Sequence, residues 1–317
     1  MKAIACTRYG SPEVLQLREM EKPTPGKNEV LIKLRATAVT ASDCIVRGFR
    51  IPHWHPMGIM MGLMLGFIRP RNPILGMIIS GDIVSTGKDT SRFKTGDPVF
   101  GWTLSSGPII RFGTYAEYIC MSENSVITTK PVNIDYKEAA AIPYGALIAL
   151  HFLKKGNIRS GMNVMIYGAS GAIGTAAVQL AKYFGTRVTG VCSTKNLSLV
   201  KSLGADTVLD YTKEFVPEDI ESYDLMLDAV GTWKKSDFKL KCKNALSHAG
   251  RYISVDDGSP KALLKDLILI RELAEAGHIK AVIDRSYSLD QMVEAHQYVD
   301  KGHKKGNIII NIREENV

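Results

Sequence analysis

The stretch VMIYGASGAIGTAAVQLAK, Val164 to Lys182, reads as a strand, a glycine turn and a helix. A short apolar run leads into Gly168, and apolar residues at helical spacing follow Gly174. In a dinucleotide-binding turn each of the three glycines has its own task. Gly168 permits a sharp reversal. Gly171 lets backbone N–H groups approach a pyrophosphate, and Gly174 lets the helix lie close to the sheet. Alone such a motif is weak. Here a further strand, RVTGVCS, follows the helix and ends near residue 193. That context makes Gly168, Ala169, Ser170, Gly171, Ala172, Ile173 and Gly174 a candidate phosphate cradle. A nucleophile elbow also sits on a strand–turn–helix, but it needs glycine two residues either side of its serine. Ser170 has Gly168 before it and Ala172 after it, which argues against a hydrolase. A dehydrogenase built on a tyrosine with a lysine four residues on is excluded too, because none of the 12 tyrosines has one.

Outward from the turn, strands and helices alternate. The strands are VMIYG, RVTGVCS, TVLDY, LMLDAVG and RYISVD, with helices such as TAAVQLAKYFG and NLSLVKSLG between them. That alternation predicts an α/β fold with a doubly wound parallel sheet. Before residue 125 the chain is β-rich, with KAIACTRYG, EVLIKLRATAVT, ISGDIVSTG, DPVFGWTL and TYAEYICM as strands. The last forty residues revert to strand, helix, strand: KAVIDRSYSL, QMVEAHQYVDKG and NIIINI.

The end of the second parallel strand bears on cofactor choice. An NAD site places Asp or Glu there, on the ribose 2′-hydroxyl. GVCSTKN instead supplies Ser193, Thr194 and Lys195, two hydroxyls and a cation. A 2′-phosphate is stabilised by such groups, so NADPH is the expected cofactor.

Composition bounds the rest. With 317 residues, 45% hydrophobic and 23% charged, the chain has the make-up of a globular protein of two domains. The opening MKAIACTRYG has no signal-like apolar core, and the longest apolar run, Met57 to Ile68, is too short to span a bilayer. The cytoplasm is therefore the expected location. Five scattered cysteines form no C-x-x-C pair. Net charge is +8, with basic clusters at Lys234, Lys235, Lys239, Lys241 and Lys243 and at Lys301, Lys304 and Lys305. These read as solvated faces rather than a nucleic-acid surface, and the excess charge suits an anionic cofactor.

Several further segments resemble the medium-chain dehydrogenase/reductase superfamily, within it the zinc-free quinone oxidoreductase (ζ-crystallin-like) branch. They are TAVTASD (37–43), NPILGMIISGDIVSTG (72–87), FKTGDPVFG (93–101), GTYAEY (113–118), AAAIPYGALIAL (139–150), GASGAIGTAAVQLAK (168–182), SLGAD (202–206), DAVG (228–231) and VIDRSYSL (282–289). The resemblance implies a GroES-like catalytic domain of residues 1–125 and 278–317 around a Rossmann domain of 126–277, with the active site between them. It places Tyr211 near the adenine and Val230, Gly231, Ser254 and Val255 along the ribose and nicotinamide.

Zinc-dependent members carry cysteine where this chain has Thr40, and Gly-His-Glu where it has Gly76-Met77-Ile78. Methionine and isoleucine cannot replace an imidazole and a carboxylate around zinc, so no metal is expected. His53 and His55 read as loop residues. Without a Lewis acid, the feasible chemistry is hydride transfer to an already electrophilic acceptor: a quinone, an enone or a related activated carbonyl. Relatives often place a substrate-touching asparagine at Thr40 and a tyrosine at Ile45. Thr40 keeps one hydroxyl for a substrate hydrogen bond, and Asp43 is a brace for its loop. The rival reading is an NADPH-binding protein with little turnover, serving as an RNA-binding or structural protein.

Two segments set expectations for the structure. The methionine-rich run Met57–Ile68 fits either a core helix or a lid over a bulky apolar acceptor. After RYISVD the chain passes almost directly into a helix from about Lys261 to Ala276, so the usual sixth strand is missing. That helix is the nearest cover for the open sheet edge. If it docks there, the family's edge-to-edge dimer is blocked, leaving a monomer or a non-standard dimer.

Overall fold

In a computed structural model the described residues are 1–49, 56–103, 112–213, 222–231 and 237–312. His53, His55, Lys234 and Lys235 lie outside them.

The first part of the chain folds as β1 (Lys2–Cys6), β2 (Leu15–Glu19), β3 (Glu29–Val39), α1 (Ala41–Gly48), α2 (Pro56–Leu65), β4 (Ile78–Thr86), β5 (Pro98–Trp102), β6 (Tyr118–Ser122) and β7 (Ile127–Thr129). Strand β3 is the axis of this half. It is long enough for one edge to take two partners, with β6 against Glu29–Lys33 and β14 (Asn307–Asn311) against Ala36–Val39. On its other edge lie β4, β5 and β7 in turn. The tail strand β13 (Ile283–Ser288) pairs with β14, so the end of the chain completes the sheet begun at its start. Between these strands the tail carries α9 (Met292–Asp300).

The middle of the chain runs α3 (Tyr136–Ala141), α4 (Pro143–Lys155), β8 (Asn163–Tyr167), α5 (Ala172–Tyr183), β9 (Arg187–Cys192), α6 (Leu197–Ser202), β10 (Thr207–Asp210), β11 (Tyr223–Asp228), α7 (Asp237–Asn244), β12 (Leu246–Ser254) and α8 (Leu264–Glu275). Its five strands are parallel in the order β10-β9-β8-β11-β12. This is the doubly wound arrangement, and it places the switch of direction at the carboxyl end of β8, where the glycine turn begins. Strand β8 is buried throughout after Asn163, as a strand covered on both faces must be. One face joins a core continuous with the first half. The other carries a smaller cluster of Met165, Tyr167, Val191, Tyr223, Met226 and Cys242, the last on α7.

Among the described residues the parallel sheet ends at β12, as the short spacing after RYISVD predicts. The covering helix goes elsewhere. Helix α8 packs against α4 and β7 rather than along β12, with Lys154 Nζ 2.6 Å from Asp266 and Arg271 bonded to Thr129 at 3.0 Å. Its apolar stripe of Leu267, Ile270 and Leu273 is buried in that packing. The ground for expecting a blocked dimer therefore falls away. No helix among the described residues is long and apolar enough to cross a membrane.

The methionine-rich run forms α2, and it is not core. Its side chains Ile59, Met60, Leu63 and Met64 are exposed.

Candidate functional site

The cradle is built as its glycines require. Gly168 has φ +81°, a conformation open to glycine and closed to most other residues. A Cβ on Gly174 would lie 2.1 Å from the Gly168 oxygen, so this glycine is demanded by the approach of α5 to β8. Gly171 differs. Apart from its chain neighbours, a Cβ there would meet only the Gly168 oxygen within 4 Å, at 3.5 Å. The space it leaves is on the cleft side. Gly171 is also the N-cap of α5, and no side chain caps the start of that helix. A cleft at the start of a helix with no side-chain cap fits a pyrophosphate.

A cleft of about 650 Å³ opens over this turn. Gly168, Ser170, Gly171, Ala172, Ile173, Tyr211 and Val230 line it, all of them residues expected from sequence. Ala169 is buried beneath the turn. Gly231, Ser254 and Val255 stand at the ends of β11 and β12 without lining the cleft. Asp228 stitches these ends together: its Oδ1 accepts from the Val230 and Gly231 amides at 3.0 and 3.1 Å, and its backbone oxygen accepts from Val255 at 3.1 Å. Asp228 is wholly buried, and Lys239 forms an ion pair with it while donating to the Gly231 oxygen at 2.6 Å. Lys239 is therefore a neutralising partner of a buried carboxylate, not part of a solvated face. A lysine in a run of lysines shows nothing of this in sequence.

Ser193, Thr194 and Lys195 follow β9 directly after Cys192, which lines the cleft; they do not line it themselves. Thr194 Oγ1 donates to Asp210 at 2.5 Å, and Asp210 also accepts from the Thr212 amide and hydroxyl. Against the desolvation that raises its pKa, these hydrogen bonds hold Asp210 below the usual carboxylate range. A carboxylate thus adjoins the expected 2′-phosphate position. It comes from the next strand, where local spacing does not reveal it.

Ala41 from the first part of the chain and Val299, Gly302 and Lys304 from the tail close the cleft, and Tyr144 of α4 lines it from the middle of the chain. The loop before β14 is tied to the glycine turn: the Gly306 amide donates to the Ser170 oxygen at 2.8 Å. This brings Lys304 to the cleft, with its ammonium donating to the Gly306 oxygen at 2.7 Å. Burial pushes its pKa down to about 8, against the attraction of Asp284 and Cys44. The expected solvated face at 301–305 therefore conceals a cleft lysine, and the contact that turns it inward is long-range.

Thr40 and Asp43 meet, but in a capping box. Thr40 Oγ1 donates to Asp43 Oδ2 at 2.7 Å and accepts from the Asp43 amide at 3.2 Å. Both are buried, and burial pushes Asp43 up to about 6 despite the Thr40 hydrogen bonds. Neither lines the cleft. Besides Tyr167, Ser170 and Tyr211, a hydroxyl-bearing residue that does is Tyr144, whose Oη is 2.9 Å from Ser42 Oγ and whose ring packs edge-on to Trp102 with ring centroids 5.6 Å apart. Burial raises its pKa, so it stays a proton donor through the neutral range. No residue lining the cleft comes from the described part of α2.

Residues 26–131 match the alcohol dehydrogenase GroES-like domain family, and residues 172–294 match the zinc-binding dehydrogenase family. The chain is 32% identical to a 2-methylene-furan-3-one reductase of Solanum lycopersicum, over 98% of this chain and 79% of that protein. It is 28% identical to an NADPH-dependent alkenal/one oxidoreductase of Arabidopsis thaliana, over 98% and 79%. A quinone oxidoreductase structure from Coxiella burnetii superposes with a TM-score of 0.83 at 26% identity, covering 99% of each chain.

Proposed function

The chain belongs to the medium-chain dehydrogenase/reductase superfamily, in its quinone oxidoreductase branch, and from that membership we propose an NADPH-dependent, zinc-independent reductase of quinones, enones or related activated carbonyls. The observation that carries the reading is the cleft itself, which Gly171 and Tyr144 line from the middle of the chain and Ala41 and Lys304 line from the first part and the tail. In this reading 126–277 hold the cofactor, and residues 1–125 and 278–317, joined by Tyr144 of α4, hold the acceptor.

When bound, the nicotinamide supplies a hydride. The chain's residues bind and orient. The N–H groups at the start of α5 take the pyrophosphate, and Lys304 adds a cation beside them. Tyr144 Oη, held by Ser42, donates to the acceptor's carbonyl oxygen as negative charge develops there. Lys195 and Ser193 favour the 2′-phosphate and Asp210 opposes it, so the preference for NADPH is a balance of close charges.

Zinc does not fit the residues present. Thr40 spends its hydroxyl on Asp43, Met77 is buried in the core, and no cluster of three metal-ligating side chains occurs among the described residues. No step is assigned to a metal.

The test is oxidation of NADPH against quinones and enones, with simple ketones as controls and a chelator added in parallel. Turnover of an activated acceptor, unchanged by the chelator, is expected. Tyr144→Phe should lower kcat about ten-fold, as for one hydrogen bond to a charged group, without weakening cofactor binding. Chelator-sensitive turnover of simple ketones would overturn the reading. Tight cofactor binding with no turnover of any acceptor would favour the binding-protein alternative.

A further inference from the structure

Helix α2 is built inside out. Its glycines Gly58 and Gly62 are buried, while Ile59, Met60, Leu63 and Met64 face solvent. Leu63 is 59% exposed and Met60 53%, and just beyond the helix Ile68 is 87% exposed. Scattered apolar residues on a surface are ordinary, but a continuous face of large ones over two helical turns needs a cover. The cofactor cleft is not that cover, since no described residue of α2 lines it.

A second feature adjoins the ridge. Beyond α2 the chain turns through Arg69 and Arg71, both exposed. They line an open groove of about 700 Å³ together with Ile68, Pro70 and Cys6. Apolar side chains ending in a groove with two guanidinium groups match an anionic phospholipid: acyl chains for the ridge, phosphate for the arginines. A second copy of the chain is a poorer match, because a stable protein interface takes about 20–30 residues a side and this ridge supplies only a few. The net charge of +8 acts in the same direction.

We propose that the exposed face of α2, with Ile68, Arg69 and Arg71, is a membrane-surface docking site that inserts shallowly into an anionic bilayer. The helix has ten residues, too few to span, so it lies in the interface. The proposal does not depend on the reductase reading, and its test needs no turnover. If both hold, the cleft works beside a membrane, where lipid-soluble quinones are concentrated.

Sedimentation of the full chain with phospholipid vesicles tests it. Vesicles with about one-third phosphatidylglycerol should carry the protein down, and pure phosphatidylcholine should do so at least about five-fold less well. Arg69→Gln and Arg71→Gln should each weaken partitioning about five-fold and reduce the preference for the anionic lipid. Met60→Gln with Leu63→Gln should weaken it at least about ten-fold, with an unchanged melting temperature because both side chains are exposed. Absence of sedimentation with either vesicle, or sedimentation indifferent to all four substitutions, would overturn the proposal. So would a dimer in light scattering that Met60→Gln with Leu63→Gln converts to monomer, since the face would then belong to a second copy.

Discussion

Lys304 and Asp210 are the residues on which cofactor recognition turns in this reading, and they act on different parts of the molecule. Lys304 lies beside the pyrophosphate position, common to NADH and NADPH. Lys304→Ala should therefore weaken both by about ten-fold. Its lowered pKa gives this contact a pH dependence. The cation is present below about 8 and is lost above it, so cofactor binding should weaken as pH rises through that value. Lys304→Arg should remove the dependence, because a guanidinium stays charged. Asp210 and Lys195 act only where the cofactors differ. Lys195→Ala should weaken NADPH alone, and Asp210→Asn should strengthen NADPH alone, both read by nicotinamide fluorescence titration. Equal effects on the two cofactors would remove Ser193, Thr194 and Lys195 from the site.

At the scale of the element, the strand–turn–helix of β8 and α5 separates folding from binding. Gly171→Ala adds a methyl into space that the protein leaves open. The variant should keep the parent melting temperature and lose cofactor affinity. Gly174→Ala forces a methyl to 2.1 Å from the Gly168 oxygen, so α5 must shift from the sheet. Over-packing of this kind costs about 1–3 kcal/mol, and both stability and binding should fall. Thermal melts with and without cofactor distinguish the cases. An equal loss of stability in the two variants would mean that Gly171 is structural and the space over it is not a binding cradle. All three glycines are equal in the motif. Only the neighbours of each Cβ direction tell a turn from a packing contact from a ligand space.

Across the whole molecule, a buried polar cluster ties the tail to the first half. His296 on α9 has Nε2 3.2 Å from the Tyr115 hydroxyl and Nδ1 3.1 Å from Arg47 and 3.3 Å from the Cys44 sulfur, while Arg47 also pairs with Asp300 at 2.7 Å. Burial, and after it the Arg47 charge, pushes His296 down to about 3. The unfolded chain takes up this proton near the ordinary histidine value of about 6.5 and the folded chain does not, so stability falls as pH drops below that value. Asp43 works in the opposite sense. Its raised pKa stabilises the fold in acid, and that contribution is lost as pH rises from about 4 to about 6. Urea unfolding across pH should show the histidine effect unopposed from pH 6.5 to 6 and again below 4. His296→Gln should flatten both limbs. A variant with the parent's acid slope would show that His296 is not held neutral.

What the chain declares by itself is what lies within a few residues: the glycine turn, the five parallel strands and the end of their sheet at RYISVD. Periodicity and backbone freedom are local properties and survive in the bare sequence. Partners are not local. Ser42 and Tyr144 are 102 residues apart, and Lys304 enters the cleft only because Gly306 binds the Ser170 oxygen. Asp210 reaches Thr194 from a neighbouring strand, α8 chose α4 over the strand edge, and α2 turned its glycines inward. Each of these was decided by which surfaces packed, since burial rewards any apolar contact and does not name its partner in advance.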